Sequence, residues 1–177
     1  MPRISKDEYY LNIAREVSKR STCLRRRYGA VILQSDQIIS TGYCGAPRGT
    51  ENCIDINFCL RETRNAKRGE HYEWCRSVHA EQNAIIHSKR LDMLKAKLYL
   101  VGVEAKTDEL MTDAEPCKLC KRMIINSGIN KVVTYDKQKK IKVIDVEKEW
   151  IKKNMGEVKK VKGKWVVLES ADFAQGK

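Results

Sequence analysis

No apolar run among the 177 residues is long enough to cross a bilayer. The longest stretches, such as Leu98 to Val103, fall far short of the ~20 residues a spanning helix needs. The opening Met1-Pro2-Arg3-Ile4-Ser5-Lys6-Asp7-Glu8 also lacks the apolar core of a secretory leader, so a cytoplasmic protein without membrane contact is expected. Internal repeats are absent, as is any linker marking a second domain, and the length suits one domain with a real core. A paired-cysteine scaffold is missing too. Seven cysteines, at 23, 44, 53, 59, 75, 117 and 120, are an odd number without a leader, and in a reducing compartment clustered thiols point to metal or catalysis.

Acidic charge is scarce relative to basic. Thirty-five Lys and Arg against 23 Asp and Glu leave a formal charge of +12, which favours an anionic substrate or partner. Between Ile129 and Lys164 stand twelve Lys, no Arg and five acids. Such a Lys-only stretch reads as a solvated face rather than a nucleic-acid groove. The expected organisation is therefore a core over 1–135 carrying a Cys-rich insertion at 44–77, and a Lys-rich extension over 136–177 packed on or beside it.

Ser5-Lys6-Asp7-Glu8 matches a capping box, and Tyr10, Ile13, Ala14 and Val17 follow at helical spacing, predicting a helix from Lys6 to Lys19. Gly29 to Leu33 and Gln37 to Thr41, parted by Ser35-Asp36, read as a hairpin. Residues 44–77 form an irregular stretch too long for a compact domain without a tether. Helical spacing returns from Val78 to Lys89. Lys97 to Val103 reads as a buried strand, Pro116 opens a helix ending at Gly128, and Lys131 to Thr134 is a further strand. A short helix near Val146 to Lys153 and a strand near Trp165 to Leu168 complete the chain. Strands alternating with helices after a hairpin imply an α/β fold, a mixed sheet between helices.

Zinc chemistry on a nucleobase needs three protein ligands, an open position for water, and a proton carrier that is not a ligand. His79 offers a nitrogen, Cys117 and Cys120 offer thiolates at i and i+3 near a helix start, and Glu81 sits two residues beyond His79. A helix N-terminus lowers the pKa of thiols placed there. His-Ala-Glu opening one helix and Glu115-Pro116-Cys117-Lys118-Leu119-Cys120 opening the next, with a strand between, make up the zinc-deaminase signature.

On these motifs the chain resembles the cytidine and deoxycytidylate deaminase family, and its dCMP deaminase branch in particular. The resemblance rests on His79-Ala80-Glu81-Gln82-Asn83-Ala84-Ile85, on Pro116 through Ile129, on Gly29-Ala30-Val31-Ile32 and on Gly42-Tyr43-Cys44-Gly45-Ala46-Pro47, within residues 5–135. It implies a three-layer cytidine-deaminase-like fold with a five-stranded mixed sheet flanked by helices. It also implies hydrolysis of a cytosine nucleotide, dCMP to dUMP plus ammonia, with zinc-activated hydroxide attacking C4 while Glu81 shuttles protons.

Some members carry a second zinc with ligands placed like Cys23 and Cys53. The expected set here is Cys23, Cys53, Cys59 and Cys75, a closed structural site tethering the insertion, with His71 as a substitute for one of them. Arg26 in Arg25-Arg26-Arg27 and Arg48 are candidates for the substrate phosphate, and Tyr135 resembles a family substrate contact. Cys44 stands where the family has Asn, in a segment that binds the effector dCTP in some relatives. Activation by dCTP, inhibition by dTTP and a homo-oligomer, often a hexamer, follow as family expectations. Three alternatives stay open from the residues alone: a tRNA adenosine deaminase or other nucleic-acid deaminase, a free-nucleoside deaminase, and a non-catalytic zinc-stabilised binding module.

Overall fold

The computed structural model of the chain describes residues 2–67, 69–112 and 114–168. The last part of the Lys-rich extension, residues 169–177, thus lies outside the described residues. Helix α1 (Lys6–Ser18) starts where Ser5 accepts the Glu8 N–H at 3.1 Å, the predicted N-cap. Strands β1 (Arg26–Gln34) and β2 (Gln37–Tyr43) form the expected hairpin, each longer than the apolar run alone marks. The insertion follows, with a single helical turn α2 (Leu60–Thr63) and a tight 3-10 turn at Tyr72–Trp74. Then come α3 (Ala80–Ile86), the turn α4 (Arg90–Met93), β3 (Lys97–Glu104), α5 (Lys118–Ser127) and β4 (Lys131–Tyr135).

The sheet has five strands in the order β2-β1-β3-β4-β5, with β5 spanning Ile141–Asp145. Only β3 and β4 run parallel, joined across the sheet by α5, so the sheet is mixed as expected. Its fifth strand comes from within the Lys-rich segment 136–177. Ile-Lys-Val-Ile-Asp at 141–145 gives a weak strand signal because Ile144 alone is fully buried there. The helix expected near 146–153 is one wide π-helical turn, Glu147–Ile151, anchored by buried Trp150. The strand expected near Trp165 is β7 (Lys164–Val167). It pairs with β6 (Val158–Val161) in a separate two-stranded sheet rather than joining the main one.

Period-two alternation sorts the strand side chains into two cores. Val31, Leu33, Tyr99, Val101, Val103 and Val133 face α1 with Leu11 and Ala14. Ala30, Ile32, Leu98, Leu100, Val132 and Ile144 face α3 and α5 with Ala80, Ala84 and Ile124. The result is three layers, with the sheet in the middle. No helix among the described residues is long and apolar enough to cross a membrane.

Candidate active site

Helix α3 lies directly on β2. A Cβ on Gly42 would stand 2.3 Å from both the Ala80 carbonyl oxygen and the Ala84 nitrogen, so only glycine permits this approach. The contact is pinned by Ser40, whose hydroxyl donates to the Ala84 carbonyl at 2.6 Å, and by the Asn83 amide, which donates to the Tyr43 carbonyl at 2.7 Å. His79 caps the helix in extended conformation, its backbone N–H donating to Gln82 Oε1 at 2.8 Å. Glu81 therefore enters in the first turn.

Cys117 caps α5 with extended backbone, and Cys120 falls one turn later, fully buried. Gly128 closes the helix in the left-handed conformation, φ 87°, as the sequence predicts. The two helix starts bring His79 Nδ1 to 3.5 Å from Cys117 Sγ and 3.3 Å from Cys120 Sγ. All three ligand atoms lie within 4.8 Å of one another. Metal bonds of about 2.0–2.3 Å to N and S in a tetrahedron place ligand atoms at such separations, so the donor set fits a single zinc ion and leaves the fourth position to solvent or substrate. Among the described residues this is the one group of three or more His, Cys, Asp or Glu that converges in this way.

The electrostatics agree with a cation site. The Cys120 S–H donated to Cys117, with His79 beside it, lowers the Cys117 thiol to about 4 against the cost of burial. That thiolate and burial hold Cys120 up in turn, and a dication between them removes the conflict by ionising both. Glu81 is 3% exposed, and burial pushes its carboxyl above the usual range.

Beside these residues opens a cavity of about 120 Å³, lined by His79, Ala80, Glu81 and Cys117 and also by Arg25, Arg26 and Tyr28. Strand periodicity explains why Arg26 and not Arg27 lines the cavity: Tyr28 packs toward α3 and α5, Arg26 shares its face, and Arg27 turns to the α1 side to meet Asp108. Arg26 Nε also donates to Glu104 Oε1 at 3.2 Å. Glu115 reaches the cavity as well, and Lys142 at 2.5 Å and Lys121 at 3.2 Å outweigh its burial and keep its carboxyl below the usual range. Cys44 sits in the cavity wall as an inert thiol. It accepts the Tyr28 N–H at 3.2 Å, contacts Ser21 Oγ at 2.9 Å, and is pushed up to about 12 by burial.

Two expected substrate contacts are not brought here. Tyr135 lies one residue out of phase with Thr134 on β4, so it packs with the α1-side core, away from the cavity. Arg48 is exposed, its guanidinium 3.3 Å from His87 Nε2. His71 also stands apart from the cysteines, stacked on Trp74 with ring centroids 3.8 Å apart and bonded to Glu73 Oε1 at 3.0 Å. Conversely, Arg61 and Tyr72 from the insertion line the cavity without any local motif to announce them. They reach it because Gly45 and Val78 exchange backbone hydrogen bonds at 3.2 and 2.8 Å, folding the insertion back over the site.

Residues 4–136 match the profile of the cytidine and deoxycytidylate deaminase zinc-binding region. The chain belongs to the cytidine and deoxycytidylate deaminase family. The deoxycytidylate deaminase of Mycobacterium phage D29 is 36% identical over 138 residues, covering 75% of this chain and 96% of its own. The deoxycytidylate deaminase of Schizosaccharomyces pombe is 35% identical over 131 residues, and the match covers 74% of this chain but 37% of that longer protein. The crystal structure of a dCMP deaminase from the cyanophage S-TIM5 in apo form shares the fold, with TM-score 0.52 at 24% identity over 76% of this chain and 86% of that one. The family match stops before β5, so the fifth strand lies beyond the matched residues.

Proposed function

We propose that this chain hydrolyses dCMP to dUMP and ammonia. The observation that carries the reading is Glu81, buried next to a His-Cys-Cys set with one position open. His79, Cys117 and Cys120 would hold a zinc ion, which would supply a water activated for addition to C4 of the cytosine ring. Glu81 takes the first proton of that water and places it on N3, then takes the second from the hydroxyl added at C4 and passes it to the exocyclic amine as the C–N bond breaks. Its burial excludes bulk water from that transfer and keeps its proton affinity suited to both steps. Arg25 and Arg26 in the cavity lining suit a phosphate dianion, and the two relatives named above are deoxycytidylate deaminases.

Ammonia release from a panel of dCMP, CMP, dCTP, cytidine and a tRNA, with and without dCTP as effector, tests this reading. The expected order has dCMP first, cytidine slower for want of a phosphate, and no turnover of tRNA. Release from tRNA alone, falling steeply with salt, overturns it in favour of a nucleic-acid deaminase.

A second, structural zinc on Cys23, Cys53, Cys59 and Cys75 belongs to the same proposal. Cys23, Cys59 and Cys75 share the cavity wall. Burial pushes the Cys53 thiol up, and the charges of Cys23, Cys75 and Cys59 add to it, which supports a common neighbourhood for the four, although their sulfurs do not converge as the ligand atoms of the His79 site do. Two zinc ions per chain, falling to about one in Cys53→Ser with the insertion more readily cleaved by protease, is the expected result. One zinc per chain, unchanged in Cys53→Ser, rejects it. Homo-oligomer formation, with six copies as the family expectation, is supported by the exposed apolar residues Ile54, Ile56 and Phe58 on the insertion. Regulation by dCTP and dTTP joins the proposal on resemblance, with main-chain groups rather than the buried Cys44 thiol as contacts.

A further inference from the structure

Tyr135, the aromatic contact that the resemblance implies, faces the other side of the sheet, and the cavity is lined instead by Tyr28 and Tyr72. The cavity wall thus carries a ring beside the metal ligand. Tyr72 stands edge-to-face with His79, ring centroids 5.2 Å apart at 75°. Both residues line the cavity, one contributed by α3 and the other by the insertion.

Tyr72 does not hold that place unaided. The guanidinium carbon of Arg61 lies 4.7 Å from the Tyr72 ring centroid, over its face. Arg61 is only 8% exposed, although an isolated buried guanidinium is costly. Its Nη2 donates to the carbonyls of Lys67 and Glu70 at 2.7 and 2.6 Å, whereas its Nε is buried without a protein acceptor. Burying a cation with one donor unsatisfied exceeds what closing a surface loop requires, and it lies in the wall of the substrate cavity. A planar cation over the Tyr72 ring and the edge-to-face contact between that ring and His79 link α2 to the metal site.

We infer that Tyr72 is the aromatic contact for the pyrimidine of the substrate and that Arg61 is its positioning residue. The inference rests on the reading of the site as a cytosine-nucleotide deaminase. A ring fixed beside His79 borders the space in which C4 must approach the metal. Aromatic contact with a base is tolerant of identity and contributes mainly to binding, so its loss raises KM more than it lowers kcat.

The experiment uses the zinc-loaded full chain. Tyr72→Leu keeps apolar volume and removes the ring, and Tyr72→Phe keeps the ring. The expected result is a KM for dCMP raised about tenfold or more in Tyr72→Leu, with kcat within a few-fold, zinc content and Tm unchanged, and near wild-type KM in Tyr72→Phe. Arg61→Lys retains charge and a donor but loses the planar face. It raises KM in the native background and adds nothing in Tyr72→Leu, the non-additivity expected of a residue acting through another. A wild-type KM in Tyr72→Leu overturns the inference, and so does a loss of zinc or a lowered Tm in that variant, which assigns the pair to the fold alone. Failure of the wild-type chain to turn over dCMP at all is a different outcome, and it overturns the functional reading instead.

Discussion

Glu81→Gln is expected to bind zinc as the native chain does and to release ammonia from dCMP about 10²–10⁴ times more slowly. Glutamine matches glutamate in volume, which matters at a side chain 3% exposed, and it leaves His79, Cys117 and Cys120 untouched. What it cannot do is accept a proton from water and return one to the departing amine. Burial raises the Glu81 pKa in the fold, so its contribution to stability is complete only below the unfolded pKa and is lost as pH rises through the folded value. At neutral pH a neutral amide therefore costs the metal-free chain nothing on that account, and Tm is expected to stay level or rise. Metal analysis, calorimetry and the ammonia assay on one preparation check all three. Native turnover by Glu81→Gln rules out the assigned proton path.

Gly42→Ala is expected to lose about 1–3 kcal/mol of stability and most of its activity together. The added methyl meets the α3 backbone at 2.3 Å on two atoms, neither of which belongs to a flexible side chain. Relief requires α3 to lift from β2, which stretches the Ser40 and Asn83 hydrogen bonds and moves His79 and Glu81 with the helix. A displacement of 1 Å at the reacting groups costs on the order of a hundredfold in rate. Gly49→Ala supplies the contrast: φ is +81° there, but nothing lies within 4 Å of the new Cβ. Its cost is backbone strain of about 1 kcal/mol, and turnover should not change. Denaturant unfolding and kcat for the two variants separate packing beneath the site from backbone strain at a distance. Native stability and full activity in Gly42→Ala would show that α3 is not held where the geometry places it.

The metal triad and Glu81 were legible because their geometry is local. His79 and Glu81 share one helix start, Cys117 and Cys120 another, and a capped first turn orients such residues whatever the rest of the chain does. The same holds for α1 behind its Ser5 cap, for the β1–β2 hairpin and for Gly128. Residues whose role depends on a distant neighbour were not legible. Strand β5 is a Lys-bearing segment that becomes a strand by pairing with β4, with Lys142 meeting Glu115 of the segment before α5. Tyr135 follows the family pattern in sequence, yet strand alternation turns it toward α1.

The sequence alone determined the family, the His-Cys-Cys ligand set and most of the elements, since each is written in spacing over a few residues. The tertiary structure decided which arginines reach the cavity, where the insertion closes, and that Arg61 and Tyr72 meet His79. The meeting of Arg61 and Tyr72 with His79 depends on the return of the insertion to Gly45 and Val78, and no local periodicity encodes a loop closure.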